Sequence, residues 1–235
     1  MDAKSQGKAA RTKDRSTCRR KVMLVDNHPV VGYGLKMLFQ STDDLELAGQ
    51  ATSVADAMAL LKAGIPDLVL LGLPLPGLCG IEFLKNLQIS HPSLPVLVFS
   101  MYDENDFAKH VLQAGGKGYV MKCESCDEVL VAVRCVLAGG VFVSLSLTKR
   151  LVASLVPGAG AVPKGKSVDT LNCRELQVYS MIGNGMTTQK IAKNLNISPK
   201  TVQTYREHIK QKIGLRTATE LVHSATLWLR NQCGG

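Results

Sequence analysis

Up to Arg20 the chain shows no hydrophobic period; from Lys21 to Leu137 short apolar runs alternate with stretches at helical spacing, and from Leu171 the spacing is helical throughout. The organising stretch is Asp67–Gly80, DLVLLGLPLPGLCG. Its front half, Leu68–Leu71, is a continuous apolar run introduced by Pro66, the pattern of a strand buried on both faces of a parallel sheet. Its back half gathers Pro74, Pro76, Gly77 and Gly80, which predicts a sharp turn before a helix opens at Ile81. Around it the alternation predicts strands at Val22–Val25, Leu45–Ala51, Pro95–Phe99 and Gly118–Met121. Helices are predicted at Pro29–Phe39, from the N-cap Ser53 to Ala63, at Gly80–Leu87, from about Glu104 to Ala114, and from about Ser125 to Leu137. Strands and helices in strict alternation predict an α/β doubly wound parallel five-stranded sheet.

After this comes a stretch of a different kind. Pro157–Asp169, PGAGAVPKGKSVD, has no period and reads as a linker, with a short helix over residues 146–155 leading into it. A small all-α domain follows. Asn172 caps its first helix, with Glu175 completing something close to a capping box. Thr187 caps a second, Gln189–Leu195, and Ser198 caps a third with Pro199 at its first position. The third helix puts Val202, Tyr205, Ile209 and Ile213 on one stripe, while Lys200, Thr204, Glu207 and Gln211 gather opposite, flanked by Gln203 and Lys210. A short helix, a tight turn and then a basic, amide-bearing helix make the helix-turn-helix pattern. A last helix, Thr217–Leu229, aligns Leu221, Ala225 and Trp228, a stripe that packs on its neighbours or also pairs two copies.

Charge sharpens this division. The 235 residues carry a net +9, unevenly spread. Residues 1–21 hold eight Lys/Arg against two acids, residues 22–152 nine against thirteen, and residues 153–235 eleven against four. An acidic middle between basic ends points to separate tasks, with nucleic acid the first partner for the C-terminal part. Residues 1–20 are polar and basic, expected to be disordered, and serve either as a DNA-contacting arm or as a solubilising tail. Seven cysteines scattered among apolar runs read as reduced thiols, and neither a membrane span nor a secretory signal is expected, so the expected location is the cytoplasm.

The candidate chemistry lies where the strands end. The first strand delivers Asp26-Asn27-His28-Pro29, the third Gly72, the fourth Ser100 and the fifth Lys122. The ordered segments VDNHP, PDLVLLGLPLPGLCG, VFS and KGYVMK, within about residues 21–140, resemble the receiver domain of two-component response regulators. The resemblance implies two adjacent acids holding Mg²⁺, an aspartate that accepts a phosphoryl group, and a Ser/Thr and a Lys that bind its oxygens. Asp26, Ser100 and Lys122 agree with that pattern. Asn27 stands for the second acid, and Gly72 stands at the phosphoacceptor position. Glycine has no nucleophilic oxygen, so phosphoryl transfer to this position is not expected. With one carboxylate left, an ion pair between Lys122 and Asp26 is expected in place of a metal, and no cofactor or metal is assigned. Asp67 is no substitute, since it starts the third strand at the opposite end. Tyr119 matches the family's aromatic switch position. Cys123 and Cys126 form one C-x-x-C, either a redox pair, half of a zinc site, or two plain thiols.

In the C-terminal part, LNCRE, GMTTQKIAKNLNIS and SPKTVQTYREHIKQKIGL closely resemble the LuxR/FixJ-type (NarL-like) helix-turn-helix of bacterial regulators. The resemblance places Gln203, Thr204 and Glu207 where base edges are read, and Lys200, Thr201, Arg206 and Lys210 on phosphates. It also implies double-stranded DNA as partner and a homodimer through the C-terminal helix or the receiver-like domain. The expected divisions are a basic tail over 1–20, a pseudo-receiver over 21–140, a short helix and linker over 141–170, and the DNA-binding domain over 171–230. The function expected is a phosphorylation-independent, sequence-specific transcriptional regulator, not an enzyme. The alternative is an interaction module whose pseudo-receiver docks a protein partner while DNA contact is secondary.

Overall fold

The computed structural model describes residues 19–73, 75, 80–145, 147–149, 152 and 168–232. The basic tail before Arg19, the turn residues Pro74, Pro76 and Gly77, and the linker up to residue 167 lie outside the described residues. Within them, β1 (Arg20–Val25), β2 (Leu45–Ala51), β3 (Leu68–Leu73), β4 (Val96–Ser100) and β5 (Gly118–Met121) form a parallel sheet in the order β2-β1-β3-β4-β5. Between and after them run α1 (Pro29–Gln40), α2 (Val54–Ala63), α3 (Gly80–Ser90), α4 (Glu104–Gln113) and α5 (Cys126–Leu137). The predicted doubly wound five-stranded sheet is present.

Several boundaries differ from expectation, those of the strands for reasons of pairing. β1 starts at Arg20, inside the expected tail, because the Arg20 N–H donates to Asp44 O at 2.8 Å and its guanidinium meets Asp67 Oδ1 at 2.9 Å. β3 and β4 run on to Leu73 and Ser100, which pair with each other. Gly72 is therefore a strand residue, opposite Phe99, rather than part of the turn. α3 continues to Ser90, three residues past the last expected position.

The sheet is covered on both faces, which is why β3 is buried along its whole length. On one face Leu24, Leu68, Leu70 and Leu97 meet Leu35 and Phe39 of α1 and Val129 and Val133 of α5. On the other, Val25, Val69, Leu71 and Val98 meet Leu61 of α2, Leu84 of α3 and Phe107 of α4. Each fully buried leucine contributes about 2 kcal/mol by removal from water. Beyond α5 the chain returns to the β5 edge: Phe142 N–H donates to Lys117 O, and Tyr119 N–H donates to Phe142 O, both at 2.9 Å. That covers part of an otherwise open strand edge. Residues 145, 147–149 and 152 are helical, with Leu147 buried and the Ser144 hydroxyl both accepting from its N–H and contacting Glu104.

In the C-terminal part α6 (Cys173–Gly183), α7 (Thr188–Leu195), α8 (Pro199–Ile213) and α9 (Ala218–Gln232) follow a short 3-10 turn at Val168–Thr170, where the linker was expected to continue. The expected caps all act: Asn172 completes a reciprocal capping box with Glu175, and Thr187 and Ser198 accept from Lys190 and Thr201 N–H. Asn196 takes the left-handed conformation at φ 51° between α7 and α8, and Gly214 ends α8 at φ 77°. Leu176, Tyr179, Ile182, Ile191, Leu195, Val202, Ile209, Leu221 and Ala225 are buried together. This sets α8 with its apolar stripe inward and its polar face free.

Candidate functional site

Strand register builds the first candidate site. Val25 pairs with Leu71, Gly72 with Phe99, and Ser100 with Met121, so the residues at and just beyond the strand ends converge. Asp26 thereby reaches Gly72: a Cβ built on Gly72 would fall on Asp26 Oδ2 and lie 2.7 Å from its Cγ. The Asp26 carboxylate fills the space a side chain at position 72 needs. Lys122, directly after β5, places Nζ 2.5 Å from Asp26 Oδ2, with side-chain exposures of 6% and 1%. The same ammonium lies 5.9 Å over the Phe99 ring. The expected internal ion pair is thus formed.

Ser100 is fully buried, and its hydroxyl is used by backbone: it donates to Leu73 O at 3.2 Å and accepts from Tyr102 N–H at 3.0 Å. Asn27 presents a buried Oδ1 that has no partner among the described residues. The receiver resemblance brings an expectation of Mg²⁺, and the donors do not fit it. One carboxylate is present; its Oδ2 takes the Lys122 ammonium and its Oδ1 takes the His28 N–H at 2.8 Å. A magnesium shell anchored on carboxylates would have to displace both. Among the described residues no group of three His, Cys, Asp or Glu is gathered for a metal.

Tyr119 is buried, and its hydroxyl donates to Tyr102 O at 2.8 Å, while Tyr102 stacks on Phe107 at 4.6 Å. Burial pushes the Tyr119 phenol well above its ordinary value, so it is a fixed neutral donor. Cys123 and Cys126 are both exposed free thiols, the second opening α5 behind its Ser125 cap.

The second candidate site is the exposed face of α8. Lys200, Gln203, Thr204 and Glu207 are exposed there, as the helical spacing predicts. Thr204 donates its hydroxyl to Lys200 O at 3.1 Å. Thr201 is half-buried and joined to the capping Ser198 hydroxyl at 2.8 Å. Arg206 is half-buried on the edge of the apolar stripe. Lys210 turns back along the helix to Glu207 Oε2 at 2.9 Å, and Gln203 Nε2 donates to Glu207 Oε1 at 3.1 Å. The hydrogen bond from Lys210 holds the Glu207 carboxyl below its ordinary value, so it is ionised.

Sequence reasoning passed over several residues. His28 contributes both its N–H and Nδ1 to Asp26 Oδ1, the ring nitrogen at 2.9 Å and lying 3.4 Å from Lys122 Nζ. The signal was its spacing, two residues after an aspartate, where such turns form. Glu175, known only as a cap, also meets Lys212 Nζ of α8 at 2.6 Å, and Arg174 donates to Leu195 O at 3.1 Å. These bonds fasten α6 to the two helices of the turn. They link residues far apart in sequence and leave no periodic trace.

Comparison with known proteins agrees with both halves. Residues 22–134 match the response regulator receiver domain, and residues 169–225 match the bacterial regulatory proteins of the luxR family. The chain is 34% identical over 202 residues to the response regulator GacA of Pseudomonas aeruginosa, covering 86% of this chain and 92% of that protein. It is 31% identical over 208 residues to the oxygen regulatory protein NreC of Staphylococcus aureus, covering 87% and 96%. Among solved structures it resembles RcsB from Salmonella enterica serovar Typhimurium, bound to promoter rprA in the presence of phosphomimetic BeF3−, with a TM-score of 0.64 at 21% identity over 88% of this chain and 98% of that one. A LuxR-family response regulator from Aurantimonas sp. matches with a TM-score of 0.54 at 29% identity, over 58% of this chain and 97% of its own. Among the described residues no helix is long and apolar enough to cross a membrane.

Proposed function

The chain belongs to the response regulators that join a receiver domain to a LuxR-type DNA-binding domain, and on that premise we propose that it is a sequence-specific DNA-binding transcriptional regulator whose receiver-like half works without aspartyl phosphorylation. The observation that carries the second part is the Asp26 carboxylate, which lies in the space beside Gly72 and is closed by Lys122. A phosphoryl acceptor at position 72 needs a side-chain oxygen and room for three phosphoryl oxygens; Gly72 supplies no such oxygen, and the Asp26 carboxylate, paired with Lys122, fills the room. What the pocket offers is an internal ion pair between Asp26 and Lys122. No reaction at this site is assigned to the chain, which acts as a regulator and not as an enzyme.

The DNA-binding part rests on α8. It is capped at Ser198, anchored by Val202, Ile209 and Ile213, and offers Lys200, Gln203, Thr204 and Glu207 to the outside. Such a helix fits the major groove, where Gln pairs with adenine and a carboxylate accepts from cytosine N4, while Lys200, Thr201 and Arg206 suit phosphates. RcsB, whose fold this chain shares, has been solved bound to promoter DNA. Residues 21–140 form the receiver-like unit and residues 171–230 the DNA-binding unit, with 141–170 between them. A homodimer through α9 or the receiver-like unit brings two copies of α8 to half-sites about one duplex turn apart. The cytoplasm is the compartment for such a protein, and a protein partner at the receiver-like unit is a further input.

The test is selection from random-core duplexes by the full chain, with no phosphodonor, followed by titration against salt. Enrichment of a defined sequence whose affinity falls steeply with salt is expected. Equal retention of all duplexes, or enrichment only with beryllofluoride and Mg²⁺, contradicts the proposal.

A further inference from the structure

The exposed face of α8 holds one arrangement that a general DNA-binding helix does not require. Glu207 puts a negative charge at the centre of a surface meant for DNA, which itself carries one negative charge per about 1.7 Å of its axis. An isolated carboxylate there is repelled, and it also loses hydration on entering a groove. Here the carboxylate is not isolated. Its Oε2 receives the Lys210 ammonium at 2.9 Å and its Oε1 receives the Gln203 amide at 3.1 Å. A carboxylate accepts through about four lone pairs, so two remain for a third partner. The Gln203 amide is unambiguous in orientation, because an ionised carboxylate accepts only.

Lys210 is built for this task rather than for reaching outward. Its side chain is 16% exposed, against 48% for Glu207, so the ammonium lies along the helix instead of extending from it. We propose that Lys210 is a positioning residue: with Gln203 it fixes and neutralises the Glu207 carboxylate on the groove-facing side of α8, so that Glu207 accepts a hydrogen bond from cytosine N4 and sets the preference for one C·G pair in the operator. This replaces the phosphate contact expected for Lys210 from sequence. It rests on the reading that α8 enters the major groove. Gln203 keeps its Oε1 and its second amide hydrogen, the pair that matches adenine N6 and N7, so the same network serves two neighbouring bases.

The experiment uses the full chain and its Lys210→Met, Lys210→Arg and Glu207→Gln variants. Each is exposed to duplexes with a random core of about two helical turns. Binding constants follow for the enriched duplex and its three replacements at the C·G step, at two salt concentrations. Wild type is expected to prefer cytosine at that step by about tenfold or more. Lys210→Met and Glu207→Gln should bring the preference to within about twofold while discrimination elsewhere persists, and Lys210→Arg should restore it. The melting temperature and the salt slope of Lys210→Met should match wild type. Two outcomes overturn the inference alone: Lys210→Met weakens all duplexes equally with a salt slope smaller by about one, the mark of a phosphate contact, or Glu207→Gln leaves every base preference intact. A wild type that enriches no sequence overturns the proposed function itself, and the inference with it.

Discussion

The Lys122 ammonium stands 2.5 Å from Asp26 Oδ2, and both side chains are shut off from solvent. The pair joins the end of β1 to the end of β5 across 96 positions of sequence. A buried ion pair adds little net stability over a well-packed apolar pair, but removing one partner strands the other charge. Lys122→Met should therefore cost about 3–5 kcal/mol in urea unfolding. Adding Asp26→Asn to it should recover part of that loss, because the stranded carboxylate is gone. Equal and additive losses for the two changes would show that the charges do not depend on each other.

Placing an acid at position 72 should not create a phosphorylation site. Gly72→Asp sends its Cβ into the Asp26 carboxylate. Two acids would then share one buried site with Lys122 as their lone cation. Gly72→Ala and Gly72→Asp should both destabilise, by about 1–3 kcal/mol for the overpacked alanine and more for the aspartate. Thermal unfolding of the two variants checks this. An aspartate variant as stable as wild type would show that Asp26 moves aside readily.

Asp67 closes the opposite end of the sheet and sets an acid limb. The Lys21 N–H donates to its Oδ2 at 2.7 Å, and Arg20 meets its Oδ1 at 2.9 Å. That backbone hydrogen bond first, and then Arg20, hold the Asp67 carboxyl below its ordinary value of 3.8. A carboxyl depressed in the folded state contributes its stability above the unfolded value. The contribution is lost as pH falls through the lower, folded value. Asp67→Asn should thus lower stability at neutral pH by a few tenths to about 1 kcal/mol, after screening of this partly exposed pair, and flatten the acid limb below pH 3.8. Urea titrations across pH 2–7 measure both effects.

Glu175 has two tasks in the C-terminal unit: it closes the capping box on Asn172 N–H at 2.8 Å and meets Lys212 at 2.6 Å. Glu175→Ala removes both, leaving an unbonded N–H and a released α8 contact, and should cost about 1–3 kcal/mol. Lys212→Met leaves the capping box and should cost less than half of that. A larger loss for Lys212→Met would assign the stability to the ion pair instead of the cap.

These residues mark where sequence reading succeeds and where it stops. The alternation that predicted β2 and β5 to the residue works because buried strands and amphipathic helices impose local periods. The caps at Ser53, Asn172, Thr187 and Ser198 were equally legible, since capping needs particular side chains beside a helix start. The Lys122–Asp26 pair was legible because both residues follow parallel strands and so come to one edge of the sheet. What stayed hidden depends on partners distant in sequence or on backbone alone. Phe142 joins β5 through main-chain bonds that no side chain announces. The resemblance put Lys210 on phosphates, and only the folded helix shows its ammonium 2.9 Å from Glu207 Oε2. Gly72 lies one residue past the predicted strand Leu68–Leu71, and β-pairing with Phe99 carries the strand through it.

The most direct test of the central claim is the dissociation constant of the full-length protein for its enriched duplex, measured with and without beryllofluoride and Mg²⁺. The same value within about twofold is expected, since Gly72 provides no carboxylate for the beryllofluoride to bind. A tightening of tenfold or more, worth about 1.4 kcal/mol, would contradict it and return the pocket to phosphoryl control.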